Sequence, residues 1–254
     1  MFAARQQFNF QPPASGGFGN NLRFPGNASQ FLSKAGTTNL VTWKATTGFT
    51  IEYWGYFTTF SNTINGGPGN HDGSSTNYWS FGPVTGGLLE FYFWSPGTTF
   101  LTTAAGAVSL NTWVNLCAVF TTSGSTTTMS LYVNGVRQQV RLGSSSGSGT
   151  FANTQTTNAG AVSAGTVFGM GKYSSPVMNA FIDNLRASNI NRYSGASYTL
   201  ATGPFVSDSN TQILIEPTGT SGSTTIPFVS TSGNGTMTNA SNIVTITNAR
   251  ANHT

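Results

Sequence analysis

The sequence predicts an all-β chain folded as two antiparallel sheets packed face to face. Three observations predict it. Apolar residues recur with period two and almost nowhere with helical spacing, the short runs they form are separated by clusters of Gly, Ser, Thr, Asn and Pro, and the run from Phe49 to Phe57 alternates cleanly between two faces.

Taken in order, Asn21 to Phe24 reads as a first strand, followed by a Gly-Asn turn and a partner at Gln30 to Ser33, an opening hairpin. In the next run Phe49, Ile51, Tyr53 and Phe57 share one face, expected in the core, while Thr50, Glu52, Trp54 and Tyr56 share the other. A Gly/Asn-rich loop, Ser61 to Asn77, precedes strands near Tyr78 to Gly82 and Gly87 to Trp94, where Leu89, Phe91 and Phe93 alternate with Glu90, Tyr92 and Trp94. Asn111-Thr112-Trp113 opens a long apolar strand through Phe120, and Thr121 to Ser125 turns it into Thr128 to Val133. Asn134-Gly135 supplies the positive φ angles of a type I′ turn and closes a tight hairpin into Val136 to Leu142. Gly143 to Gly165 is low in complexity and reads as an extended loop, after which strands return at Val167 to Gly171, Ala180 to Ala187, Gln212 to Glu216 and Asn242 to Thr247. Rings near Phe49, Phe91 and Trp113 are expected to hold the two layers shut. The expected organisation is one domain over 21–216, with an N-terminal arm, 1–20, and a C-terminal extension, 217–254, holding at least one strand.

Composition narrows the function. The 254 residues are 37% hydrophobic and 13% aromatic but only 6% charged, against roughly a quarter charged in ordinary proteins, so Ser, Thr, Asn and Gly must supply the wet surface. Such a surface is cheap to desolvate and suits burial in a repeating assembly. The aromatic content excludes the disordered class. The net charge of +4 is scattered, without the dense basic stripe that nucleic-acid binding requires. No stretch reaches transmembrane length, and Met1 to Phe10 lacks the apolar core of a signal peptide. Cys117, alone in an apolar strand, reads as a buried structural thiol.

Several segments resemble, in order, the laminin-G-like branch of the concanavalin A-like lectin/glucanase superfamily, in the form found in phage and bacterial surface proteins. Leu22-Arg23-Phe24-Pro25-Gly26 with Gln30-Phe31-Leu32 resembles its first hairpin, and Phe49 to Trp54 its aromatic strand. Asn111-Thr112-Trp113 with Leu131 to Gly135 resembles its most recognisable pair, and Phe181 to Arg186 with Arg192-Tyr193 its closing Ile-Asp-x-Leu-Arg segment. The resemblance implies a two-sheet antiparallel jelly-roll sandwich and leaves activity to be argued from the site.

Hydrolases on this fold need two carboxylates about 5 Å apart to flank the scissile bond. The six acids here, Glu52, Asp72, Glu90, Asp183, Asp208 and Glu216, never alternate on one strand, so only a cross-strand pair of Glu52 with Glu90 is left for that reaction. His71 and His253 belong to no triad, and one Cys with two distant His cannot build a zinc site. No cofactor is expected except calcium, which the family's relatives bind through hard oxygens; its candidates here are Asn70 and Asp72, with Asp183 read as structural.

The binding candidates are aromatic: Trp54 and Tyr56, Tyr92 and Trp94 as exposed partners of core positions, and Tyr78 and Trp79 as loop residues, since sugar C–H faces stack on such rings. Phe2, Phe8, Phe10 and Phe18 are candidate contacts of a terminal arm with a neighbouring subunit. The expected function is a phage structural protein, a capsid decoration, knob or fibre component at the virion surface. It would be a homo-oligomer or lattice-bound, contacting other virion proteins and host glycans. A stand-alone lectin or adhesion module is the alternative, and a glycoside hydrolase the third reading.

Overall fold

The computed structural model describes residues 19–27, 30–35, 48–60, 67–70, 79–94, 98–143, 149–158, 167–171, 178–230, 235–240, 242 and 244–248. The strands are β1 (Asn21–Pro25), β2 (Phe31–Ala35), β3 (Gly48–Phe57), β4 (Gly69–Asn70), β5 (Trp79–Val84), β6 (Leu88–Trp94) and β7 (Thr98–Thr103). They continue as β8 (Trp113–Ser123), β9 (Thr126–Val133), β10 (Val136–Arg137), β11 (Val140–Leu142), β12 (Gln155–Asn158), β13 (Val167–Met170) and β14 (Asn179–Ser188). The last are β15 (Thr211–Ile215), β16 (Pro227–Ser230), β17 (Gly235–Thr236), β18 (Thr238–Ala240) and β19 (Thr245–Thr247). All pairings are antiparallel, and they form two sheets. The larger runs β10-β9-β8-β3-β14-β15-β16-β17, with β12 on β9 and β1 and β19 branching from β14; the smaller runs β11-β7-β6-β5-β4-β13-β2-β18.

The expected core alternation holds. Phe49, Ile51, Tyr53 and Phe57 of β3 and Leu89, Phe91 and Phe93 of β6 all lie in one buried cluster between the sheets. Its centre is aromatic and spans both layers: Trp79 stacks on Phe91 at 5.3 Å, Phe49 meets Trp79 edge-on at 5.5 Å, and Phe91 meets Phe120 at 4.6 Å. Such contacts add directional attraction to the burial of large apolar surfaces. The Asn134-Gly135 hairpin also forms as expected, with φ of 49° and 73° and Val136 facing Val133. Any Cβ at Gly135 would stand 2.5 Å from the Tyr198 carbonyl oxygen, so the turn needs glycine for space as well as for φ.

Several expectations are corrected. β1 and β2 are not a hairpin: β1 pairs β14 and β19 in the larger sheet, β2 pairs β13 and β18 in the smaller. Period-two spacing tells which face a residue takes and is silent on which sheet the strand joins. The return strand after Gly135 stops at Arg137, and the chain crosses so that β11 pairs β7 in the other sheet. The presumed loop after Gly143 contains β12, which extends β9, and the loop before Tyr78 contains β4. Trp113 faces outward, in a separate cluster with Trp54 and Phe181. The segment after Glu216 is built into the sandwich rather than appended: β16, β18 and β19 join the two sheets, and Ile226, Phe228, Met237, Val244 and Ile246 lie in the main core. Among the described residues no helix is long and apolar enough to cross a membrane.

Candidate functional site

A strap of irregular chain, residues 189–208, lies over the outer face of the larger sheet. Side-chain and backbone hydrogen bonds pin it along its length. The Thr50 hydroxyl donates to the Ile190 carbonyl at 2.8 Å, the Tyr132 hydroxyl to the Gly195 carbonyl at 2.9 Å, and the Tyr198 hydroxyl to Asn115 Oδ1 at 2.5 Å. The Arg137 and Tyr198 amides donate to the Ala196 and Gly135 carbonyls at 2.9 and 2.8 Å. The strap turns the outer face of β3, β8 and β14 into a second interior.

Beneath it sits a charged knot. Glu52 is buried; Arg186 donates to its Oε1 from Nε at 3.0 Å and Nη2 at 2.7 Å, and the Tyr193 hydroxyl donates to Oε2 at 2.8 Å. Burial, and after it the charge of Glu52, pushes the Tyr193 phenol upward. Cys117, opposite Glu52 in the β3–β8 register, is fully buried, and burial with the neighbouring Glu52 raises its thiol well above the usual range. The expected structural thiol is thereby located, in the outer layer rather than the main core. Glu90 lies on the outward face of the smaller sheet, where the Thr102 hydroxyl donates to it at 3.2 Å. The Glu52–Glu90 pair is therefore not assembled: the whole core separates two carboxylates that point away from each other, and packed sheets alone stand about 10 Å apart.

Beside the knot is a groove of about 340 Å³ between β8, β9, β10, Thr154 and the strap. Its walls carry hydroxyls from Thr121, Thr128, Ser130, Thr154 and Ser194, the Asn191 amide, the Arg137 guanidinium and the rings of Tyr132 and Tyr193. Tyr193 is held as a rigid wall, its hydroxyl on Glu52 and its ring stacked 3.7 Å from that of Tyr198, which in turn meets Tyr132 edge-on at 5.4 Å. Rings bordered by neutral hydroxyls and one cation suit a saccharide, whose C–H faces need an apolar wall and whose hydroxyls need donors and acceptors.

The sequence-predicted rings are placed differently. Trp79 begins β5, as the strand reading near Tyr78 to Gly82 expects, and is fully buried in the main core instead of exposed as a loop aromatic. Trp54 is buried against Trp113 and Phe181, and Tyr92 is buried with Phe100 4.8 Å away, so neither is an exposed platform. Tyr56, half-buried, meets Trp113 and Phe181 edge-on at 6.0 and 5.9 Å. Trp94 ends β6 opposite Thr98. Tyr78, Asp72, Phe2, Phe8, Phe10 and Phe18 lie outside the described residues; Asn70 stands on β4 opposite Trp79. Tyr132 and Tyr193 were missed as site residues. Both occur in segments that resemble the family, but only the strap brings them together.

Away from Asn70 and Asp72, Asp183 and Asn21 present buried oxygens that bear on calcium. Asp183 is 1% exposed and Asn21 0% exposed. Asp183 Oδ1 accepts from Asn184 Nδ2 at 2.9 Å, whereas its Oδ2 and both side-chain polar atoms of Asn21 have no hydrogen-bond partner. The Leu22–Ile182 pair makes these two residues cross-strand neighbours, and Asn21 shares the outer face with Arg23, whose guanidinium lies 4.7 Å over the Phe181 ring. Burial raises the Asp183 carboxyl well above the usual range; the Asn184 amide opposes this and the charge of Glu216 adds to it. Unpartnered buried oxygens are costly, and carboxylate and amide oxygens are what a hard divalent cation takes. Asp183 and Asn21 carry oxygens of the kind such an ion takes, and an ion there would supply charge neutralisation and a cross-strand tie.

A family model and one solved structure agree with this architecture. A laminin-G family model of the concanavalin A-like lectin/glucanases superfamily matches residues 33–195. Among solved structures, the chain is similar to a Bacteroides ovatus protein described as a candidate carbohydrate-binding protein, with 13% identity, a TM-score of 0.53 and coverage of 91% of this chain and 60% of that one. It also matches a native heptameric SAP-like pentraxin of Limulus polyphemus, with 13% identity, a TM-score of 0.44 and coverage of 69% and 78%. The binding domain of botulinum neurotoxin serotype D/C matches with 14% identity, a TM-score of 0.30 and coverage of 70% and 46%. A search of curated proteins found no match. With the family model covering more than half of its length and the two-sheet sandwich in place, the chain belongs to the concanavalin A-like lectin/glucanase superfamily.

Proposed function

We propose that this chain is a non-enzymatic carbohydrate-binding module whose saccharide seat is the groove between β8, β9 and the strap. The observation that carries the reading is the tyrosine wall: Tyr193, fixed by its stack on Tyr198 and its bond to Glu52, beside a floor of hydroxyls. The engagement of Glu52 by Arg186 and Tyr193 supports a structural role for that acid rather than a catalytic one. Calcium, in this reading, is held by Asp183 and Asn21 and stiffens the fold without touching the groove. A glycan array followed by titration calorimetry tests the seat. Saturable binding should be abolished by Thr128→Trp, which fills the groove and removes no member of the Glu52 knot, and by Tyr193→Ala. Silence across the array, or binding indifferent to Thr128→Trp, would overturn it.

A second reading concerns setting: a structural component of a phage virion surface, attached to other virion proteins. Its support is the 6% charged composition, which favours packing in a repeating assembly. A mass-spectrometric inventory of purified particles that lacked the chain would end that reading while leaving the saccharide seat intact.

A further inference from the structure

The groove has an electrostatic bias that a seat for neutral sugars would not need. Arg137 is the only charged side chain among its described lining residues. The described acids nearest the strap are already committed, Glu52 to Arg186 at 2.7 Å and Asp208 to Arg192 at 2.8 Å, and among the described residues no carboxylate pairs with Arg137. The backbone around Arg137 is rigid. It follows the Asn134-Gly135 turn, faces Tyr132 in the β9–β10 ladder, and its amide donates to the Ala196 carbonyl at 2.9 Å. The guanidinium lies close enough to the Tyr132 phenol to oppose the upward push of burial on it. A half-buried cation held over a hydroxyl floor, with its fork uncommitted to any acid, is complementary to a planar anion of matching geometry.

We propose that the groove selects acidic saccharides and that Arg137 reads the carboxylate of a uronic acid residue. This rests on the reading of the groove as a saccharide seat and narrows it to a ligand class. The hydroxyl walls bind the neutral part of the sugar, Tyr193 borders its ring, and the guanidinium discriminates by charge. Hydrogen bonds to a charged group are worth enough that the carboxylate should change affinity about tenfold or more.

The test compares two trisaccharides of one skeleton, α-1,4-trigalacturonate and α-1,4-galactotriose, by titration calorimetry on the full chain and on Arg137→Gln, at low ionic strength and at about 0.15 M, where screening is strong. The intact chain should bind the acidic trimer at least about tenfold tighter. The preference should shrink with salt and vanish in Arg137→Gln; a circular dichroism melt of the variant checks that the fold is kept. Equal affinities in the intact chain, or an acid preference that survives Arg137→Gln, would sink the inference. Binding of neutral glycans alone, blocked by Thr128→Trp, would sink it too and leave the saccharide seat standing, whereas no saccharide binding of any kind removes both.

Discussion

The inside and the outside of β3 are both buried, yet they are held by different physics. Inward, Phe49, Ile51, Tyr53 and Phe57 join a continuous apolar cluster at whose centre Phe49, Trp79, Phe91 and Phe120 meet. Outward, Thr50, Glu52 and Trp54 lie under the strap, and the first two meet particular polar partners: Thr50 the Ile190 carbonyl, Glu52 the Arg186 guanidinium and the Tyr193 hydroxyl. In the first region the cost of a change scales with the volume removed. In the second it scales with what is left unpaired. The difference teaches that a third layer can be assembled from irregular chain when hydrogen bonds take the place of a pleat.

Substitutions can break or sharpen that contrast. The largest effect is expected inside, where Phe91→Ala empties the space shared by Trp79, Phe49 and Phe120 and should cost about 3–5 kcal/mol in chemical denaturation; a loss below about 1 kcal/mol would mean that Phe91 is not at the junction of the layers. Under the strap, Glu52→Gln should cost about 3 kcal/mol, because it leaves Arg186 largely buried without its counter-charge. Here the sharper measurement is the double variant Glu52→Gln with Arg186→Met, which should recover most of the loss; the core has no analogous rescue. Additive losses in the double variant would show that the knot is held by shape and not by charge.

A third, smaller effect concerns the edge where β1 meets β14. Because the folded-state pKa of Asp183 lies above its unfolded value, the fold favours the protonated form. In chelator, the stability from this group is full below the unfolded pKa and is lost as pH rises through the folded pKa. Calcium should reverse that trend near neutrality, adding about 2.7 kcal/mol at a hundredfold excess over Kd. Asp183→Asn should abolish the calcium shift and, in chelator at neutral pH, melt above the parent chain. A thermal shift assay that finds no calcium effect in the parent would remove the ion from this site.

Much of the sandwich was legible because alternation reports burial directly. Phe49 to Phe57 and Leu89 to Phe93 separate into faces by spacing alone, and Asn134-Gly135 has few conformations other than the turn it makes. Trp113 misled because β8 is apolar on both sides: Val114, Leu116 and Phe120 face the core, while Trp113, Cys117 and Val119 face the strap layer. A strand covered twice loses the alternation that tells in from out. The strap itself has no period to read. Its position depends on bonds such as Tyr193 to Glu52 and Tyr198 to Asn115, 141 and 83 residues apart in the chain, and no local pattern encodes a partner so distant. For that reason the tyrosine groove was missed and the outward tryptophans were overvalued.

The pairing of β1 with β19, Asn21 facing Thr247, also sets how the molecule bears mechanical load. The two strands are antiparallel, and the start of β1 lies beside the end of β19. Tension applied between those ends would peel the rungs one after another and meet little resistance. A load between β1 and β9 would pass in series through β14, β3 and β8, and it would yield first at the four-pair ladder between β1 and β14.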